Sequence, residues 1–347
     1  MTTPGIDAEP LTAWLAERVP GMRAPLTFDL IAGGRSNLTF GVTDAGGRRL
    51  VLRRPPTSHV LASAHDMGRE ARVMSALAPT DVPVPPVLAV CDDPAVTGAP
   101  FFVMDHVEGH VLRGAKQTGE VLDEGARGRV IGRLVEVLAA IHAVDLAAVG
   151  LADYGPEGSY IERQLRRWHR QVNQSFEQAE AGGFGHDAGI VNEVHDALAE
   201  RIPPQTEVRL VHGDFRLDNT IVGADGDIRA VLDWELSTIG EPLADVATMM
   251  VYWADAPSTS AMAPATALPG FPSRDELGPL YAAASGRSID SLPYFVAFAH
   301  WRIACIMEGV YVRYRAGAMG EAEGAGGGMG DMVVRRAEQA RKVLADL

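Results

Sequence analysis

The sequence predicts an α+β fold in two lobes: an N-terminal antiparallel sheet with one helix over residues 1–106, and a larger, mainly helical C-terminal lobe over residues 107–347. Three observations predict it. Apolar residues in the first part alternate at period two between turns rich in Gly and Pro, the mark of strands. From Asp123 they recur at three and four, the mark of helices. The length of 347 residues, 47% of them hydrophobic, is enough to bury a large core and points to two units rather than one.

The elements follow in order. Leu11–Arg18 reads as a short amphipathic helix ahead of Pro20 and Gly21. Leu26–Ala32 is a strand, and Leu38–Thr43 another, with Leu38, Phe40 and Val42 on one face; Gly33-Gly34-Arg35-Ser36-Asn37 turns between them. Asp44-Ala45-Gly46-Gly47 feeds a third strand, Arg49–Arg53, that stops before Pro55-Pro56. A helix is expected from about Ala64 to Leu77, then strands at Val87–Cys91 and Phe101–Met104.

In the second lobe, Ile131, Leu134, Leu138 and Ile141 form one buried helical stripe ending near Ala148. Ser159–Glu180 and Ile190–Arg201 are further helices, and Val208–Val211 is a short buried strand. Thr220–Val222 and Ile228–Leu232 form a hairpin about Ala224-Asp225-Gly226-Asp227. Helices resume from about Pro242. The tract Gly317–Gly330 reads as a loop before a last helix, Met332–Leu344.

Charge and composition narrow the function. Lys and Arg total 31 against 45 Asp and Glu, a formal charge of -14, which disfavours a nucleic-acid-binding face. Residues 1–106 hold 9 basic and 11 acidic side chains, so nearly all the excess negative charge lies beyond them, as a solubilising surface or an acidic cleft for cations. Only Cys91 and Cys305 occur, too few for a disulfide framework or a multi-Cys zinc site. Met1–Asp7 has no secretory signature, and the longest apolar stretches are broken by His142, Asp145, Asp153 or Asp255. The expectation is a soluble, cytoplasmic protein with no membrane or nucleic-acid partner; oligomeric state has no signature here.

The densest polar cluster is His212-Gly213-Asp214-Phe215-Arg216-Leu217-Asp218-Asn219, between two strands. Asp214 and Asn219 share one loop, and the hairpin's second strand delivers Asp233 in Val231-Leu232-Asp233-Trp234-Glu235. Phosphoryl transfer from an ATP–Mg²⁺ complex needs such a set: one carboxylate to accept the proton of the attacking hydroxyl, and hard oxygen ligands for the metal. That assigns Asp214 as base and Asn219 and Asp233 as metal ligands. Rossmann and Walker sites are disfavoured, since neither glycine pattern is present.

These residues resemble the aminoglycoside phosphotransferase and choline kinase family, small-molecule kinases on the protein-kinase-like fold, over about residues 25 to 315. His-Gly-Asp replaces the protein kinases' His-Arg-Asp, Asp-Trp replaces Asp-Phe-Gly, and no Ala-Pro-Glu follows, which favours a small-molecule acceptor. Val51–Pro56, Phe102–Gly109 and Tyr160–Gln164 are similar to a bacterial subgroup related to the kinase-like domain fused to some acyl-CoA dehydrogenases.

The resemblance implies further parts. Gly33, Gly34, Ser36 and Asn37 would cover the phosphates, where glycine lets backbone N–H groups approach oxygen. Arg53 stands at the phosphate-clasping cation's place, with Glu70 as its helix partner; no lysine precedes Lys116. Met104, Asp105 and Val107 align with the interlobe hinge, where the backbone of Asp105 and Val107 would bond adenine. His212 would orient the loop, Asp245 would brace it, and Asp218 would pair with Arg216 or face solvent. Arg302, Arg313 and Arg315 lie on a late helix, facing either an anionic acceptor or the surface.

The implied function is ATP- and Mg²⁺-dependent phosphorylation of a small-molecule hydroxyl. Its acceptor is an aminoglycoside, as the family suggests, or a hydroxy acid or acyl compound, as the subgroup suggests. The alternative is a catalytically silent nucleotide-binding module, for which Arg53 in the usual lysine position is the supporting feature.

Overall fold

A computed structural model describes residues 5–33, 37–56, 66–156, 158–254, 256–258, 260, 262–316 and 328–347. Helix α1 (Ala8–Arg18) precedes strands β1 (Thr27–Gly33), β2 (Leu38–Thr43) and β3 (Arg49–Arg54). Helix α2 (Met67–Leu77), strand β4 (Val87–Cys91), a single helical turn α3 (Pro94–Thr97) and strand β5 (Phe101–Asp105) complete the smaller lobe. The five strands form one antiparallel sheet in the order β1-β2-β3-β5-β4.

Alternation along these strands decides what faces the site. Phe40, Val42, Leu50, Leu52, Phe101 and Val103 point to one side, where they share a core with Leu11 and Leu15 of α1. Val51, Phe102 and Met104 point to the other side and join the main core with α2. Arg53, two residues after Val51, is carried to this inner face. Asp66 caps α2 through the N–H of Arg69 at 2.9 Å, so the helix starts at Met67 rather than Ala64.

The larger lobe holds α4 (Ala115–Val121), α5 (Glu124–Ala143), α6 (Tyr160–Ala181) and α7 (Gly189–Ala199). Strands β6 (Arg209–Val211), β7 (Thr220–Val222), β8 (Ile228–Val231) and β9 (Thr238–Gly240) follow, then α8 (Leu243–Tyr252), α9 (Leu277–Ser285), α10 (Leu292–Arg315) and α11 (Met329–Ala345). The expected hairpin is β7 paired with β8. The polar loop before it includes a one-turn helix, Leu217–Asn219. A second two-stranded sheet, β6 with β9, was not expected, because three residues are too few to show a period.

Helix α10 corrects the expectation that every apolar stretch is too short to span a bilayer. Its 24 residues are long and apolar enough by composition alone. It is instead the central helix of the lobe, with 78% of its most apolar window buried, packed against α6, α7, α8 and α11. Of the expected glycine loop, residues 317–327 lie outside the described residues, and the last helix starts at Met329.

Candidate active site

Between the lobes lies a cleft of 350 Å³. Arg53, Glu70, Asn37 and Met104 reach it from the sheet side, and Asn219 and Asp233 from below. Val51, Met74, Ile221 and Leu232 supply apolar walls that suit a flat heterocycle.

The catalytic-loop candidate is held from behind. Asp245, fully buried on α8, accepts the backbone N–H of His212 at 2.6 Å and that of Gly213 at 2.8 Å. Burial works against its charge, yet the contact with His142 and the charge and amide of His212 hold its carboxyl below the usual range. Burial also pushes the His142 imidazole down against the pull of Asp245; its Nδ1 lies 2.7 Å from Tyr281 Oη and its Nε2 3.3 Å from Asp245 Oδ2. His212 takes its tautomer from its neighbours, Nε2 donating to Leu232 O at 2.9 Å and Nδ1 accepting the N–H of Asp214 at 3.2 Å.

Gly213 explains why glycine replaces arginine in this motif. Its φ is +84°, and a Cβ there would lie 2.5 Å from the carbonyl oxygen of Leu236. Beyond it the Asp214 side chain is tied to Asn219, whose Nδ2 donates to Asp214 O at 2.9 Å and to Asp214 Oδ2 at 3.0 Å. That leaves the Asn219 amide oxygen for another partner. Asp233, at the end of β8, has φ +65°, the one positive φ among described non-glycine residues. Such a conformation is costly in a loop without a task, and Asp tolerates it better than most residues.

Arg53 is the hub of the cleft. Its Nε lies 3.0 Å from Glu70 Oε2, its Nη2 bonds Asp233 Oδ1, and Glu235 is 4.0 Å away. Three carboxyls crowd one buried guanidinium, so their charges are not all compensated. Burial and the nearby Asp233 charge raise Glu70 to about 7 despite Arg53. Burial, and then the charges of Asp233 and Glu70, raise Glu235 to about 8 despite Arg53. Glu235 also accepts from Asn37 Nδ2 at 3.0 Å, which ties the first hairpin to the lower lobe.

The structure brings Asn37, Arg53, Glu70, Met104, Asp105, Val107, Asn219 and Asp233 to one cleft, with Asp214 hydrogen-bonded to its floor. Gly33 ends β1 at the mouth of that hairpin; Gly34 and Ser36 lie outside the described residues. At the hinge, the Asp105 N–H is taken by Pro86 O at 2.9 Å, so among its backbone groups only the carbonyl is a candidate for adenine. Asp218 pairs with Arg216 at 2.8 Å. The late arginines divide: Arg302 is buried, whereas Arg313 and Arg315 are exposed. Sequence reasoning missed Glu235, although its position two residues after Asp233 is a signal in the motif itself.

As a metal site, the donors are hard oxygens: the Asp233 carboxylate and the Asn219 amide oxygen not used toward Asp214. That set fits Mg²⁺. Among the described residues no group of three or more His, Cys, Asp or Glu could hold a metal ion, so the set is these two donors.

Two lobes, this loop and this cleft define a kinase-like phosphotransferase fold. The chain belongs to the phosphotransferase enzyme family, whose model matches residues 27–280. It is 34% identical to a Ralstonia eutropha protein of known structure that carries a provisional aminoglycoside phosphotransferase name, with a TM-score of 0.78 over 97% of this chain and 98% of that one. A ternary complex of an aminoglycoside phosphotransferase with AMP-PNP and hygromycin B shares the fold, at TM-score 0.62 and 19% identity over 97% and 99% of the two chains. Among curated proteins, it is 35% identical over 326 residues to acyl-CoA dehydrogenase family member 11 of Gallus gallus, and 37% identical over 293 residues to member 10 of Mus musculus. These matches cover 90% and 82% of this chain but only 40% and 26% of those relatives.

Proposed function

We propose that the protein transfers the γ-phosphoryl group of ATP, as its Mg²⁺ complex, to a hydroxyl of a small hydroxy acid or acyl compound. The observation that carries this reading is the Asp214–Asn219 hydrogen bond at 3.0 Å beside Asp233 in a cleft roofed by Arg53. With Oδ2 engaged by Asn219, Asp214 offers Oδ1 to the proton of the acceptor hydroxyl. Mg²⁺ held by Asn219 and Asp233 would supply neutralising charge at the phosphates. Arg53, oriented by Glu70, turns its fork toward phosphate oxygens. The apolar walls and the Asp105 carbonyl receive the base. The acyl part of the reading rests on the names of the curated relatives.

The test is ATP consumption with Mg²⁺ against hydroxy acids, choline-like amines and aminoglycosides. Turnover with a hydroxy acid that falls about 10²–10⁴-fold in Asp214→Asn supports the assignment. Turnover that persists in this variant removes Asp214 as base. Nucleotide binding without turnover on any acceptor leaves the silent module as the better description.

A further inference from the structure

Beside Gly213 of the catalytic loop is a second cavity, of 440 Å³, walled by α6, the start of α2, the segment 235–238 and α10. Four arginines line it: Arg69, Arg163, Arg167 and Arg302. The chain as a whole carries -14, so such a gathering of positive charge runs against its composition.

Arg302 is the least expected member. It is 5% exposed on the central helix, and its one hydrogen bond among the described residues runs to the carbonyl of Gly213, the residue before Asp214. No carboxylate among the described residues lies within ion-pair reach of it. A guanidinium withdrawn from water without an anion is costly, and a bound anion would offset that cost. Arg167 likewise has no carboxylate partner among the described residues; it lies 5.3 Å from the centre of the Trp168 ring, with Arg302 at 5.9 Å. Arg69 is fixed by the carbonyls of Tyr154 and Ser237, at 2.7 and 3.1 Å, and Arg163 reaches the carbonyl of Ile239 at 3.1 Å.

The carboxylates lining the cavity are few. Asp66 is spent on capping α2, and Glu235 faces Arg53 and Asn37. The larger cavity of 880 Å³ beside Asp218 also holds arginines, but there Arg216 is already paired with Asp218 at 2.8 Å.

We propose that this cavity is the acceptor's anion seat: Arg302 and Arg167, with Arg69 and Arg163 around them, bind a carboxylate or phosphate of the substrate, whose carbon skeleton lies on Trp168. The proposal rests on the phosphotransferase reading and specifies its acceptor as anionic. A guanidinium fork suits either oxyanion, and an aromatic wall suits an acyl chain.

The test uses the full chain with its nucleotide site saturated by Mg²⁺ and AMP-PNP, titrated calorimetrically with hydroxybutyrate, glycerol phosphate, neutral butanediol and kanamycin. Hydroxybutyrate and glycerol phosphate distinguish a carboxylate source from a phosphate source. At least one should bind, with butanediol about tenfold weaker or worse, and Arg167→Gln should weaken it by about tenfold. Arg167 is exposed and makes no hydrogen bond among the described residues, so this variant should fold; Arg166→Gln, on the same helix but outside the cavity, should change nothing. Failure of both anions to bind, equal binding of butanediol, preference for kanamycin, or an Arg167→Gln and Arg302→Lys pair with undiminished affinity each overturns the seat. Phosphoryl transfer from ATP is scored separately. Transfer to kanamycin unaffected by Arg167→Gln overturns the seat alone, and anion binding without transfer to any acceptor overturns the transferase reading alone.

Discussion

Asp245 and His212 meet through a 2.6 Å hydrogen bond from a backbone amide to a carboxylate that no solvent reaches. The same carboxylate takes the next amide at 2.8 Å, so one side chain on α8 sets the path of the chain into Asp214. Replacing it by Asn turns one oxygen into a donor facing an N–H and leaves an amide unsatisfied. Asp245→Asn should lose about 1–3 kcal/mol of stability by denaturant melts. It should also reduce kcat well beyond what the remaining folded fraction explains.

Gly213→Ala tests backbone geometry at the same place. A Cβ 2.5 Å from Leu236 O cannot be accommodated without moving the loop, and the positive φ adds strain. We expect a stability loss of about 1–3 kcal/mol. Phosphoryl transfer should fall further than stability does, measured as kcat at a temperature where the variant is folded.

The crowded carboxyls predict a pH dependence. Glu70 and Glu235 titrate near 7 and 8 in the folded chain, against an ordinary 4.5. Between those values the folded state holds more protons than the unfolded state, so stability falls as pH rises from about 4.5 to 8. Glu235→Gln removes one such group without changing its shape. Denaturant midpoints of the wild type should therefore decline more steeply than those of the variant across this window; parallel curves would show that Glu235 carries an ordinary pKa.

The same protons bear on cation binding. A divalent ion beside Asp233 favours the ionised carboxyls, so Mg·nucleotide affinity should rise with pH from about 6 to 8 and release protons as it binds. Calorimetry in buffers of different ionisation enthalpy reads this directly.

Arg53→Lys restores the residue type that the family usually places here. One guanidinium fork touches both Glu70 and Asp233, whereas a single ammonium is a compact point charge. The variant should bind Mg·ATP about tenfold more weakly while Asp214 chemistry persists, seen as a KM rise larger than the kcat loss. Equal losses in both would place Arg53 in the transition state instead.

Local motifs were legible and tertiary meetings were not. The five-residue spacing of Asp214 and Asn219 places them on one loop whatever surrounds it, and the hairpin carries Asp233 beside them. Arg53 was named through the family resemblance, since strand alternation by itself leaves a mid-strand arginine as readily a surface cation. The arginine cavity was not, because Arg167 and Arg302 come together only when α6 crosses α10, and no period in either helix announces that crossing. Strand β9 and helix α4 were missed for a different reason: at three and seven residues, each is too short for hydrophobic repetition to separate it from a loop. The left-handed backbone of Asp233 leaves no trace in composition at all.

Helix α10 has a bearing on how the chain reaches its native state. It is the shared neighbour of α6, α7, α8 and α11, so the larger lobe has no closed interior until residue 315 has left the ribosome. Until then the oily sides of three earlier helices wait for their partner, which makes late synthesis the stage at which aggregation competes with folding.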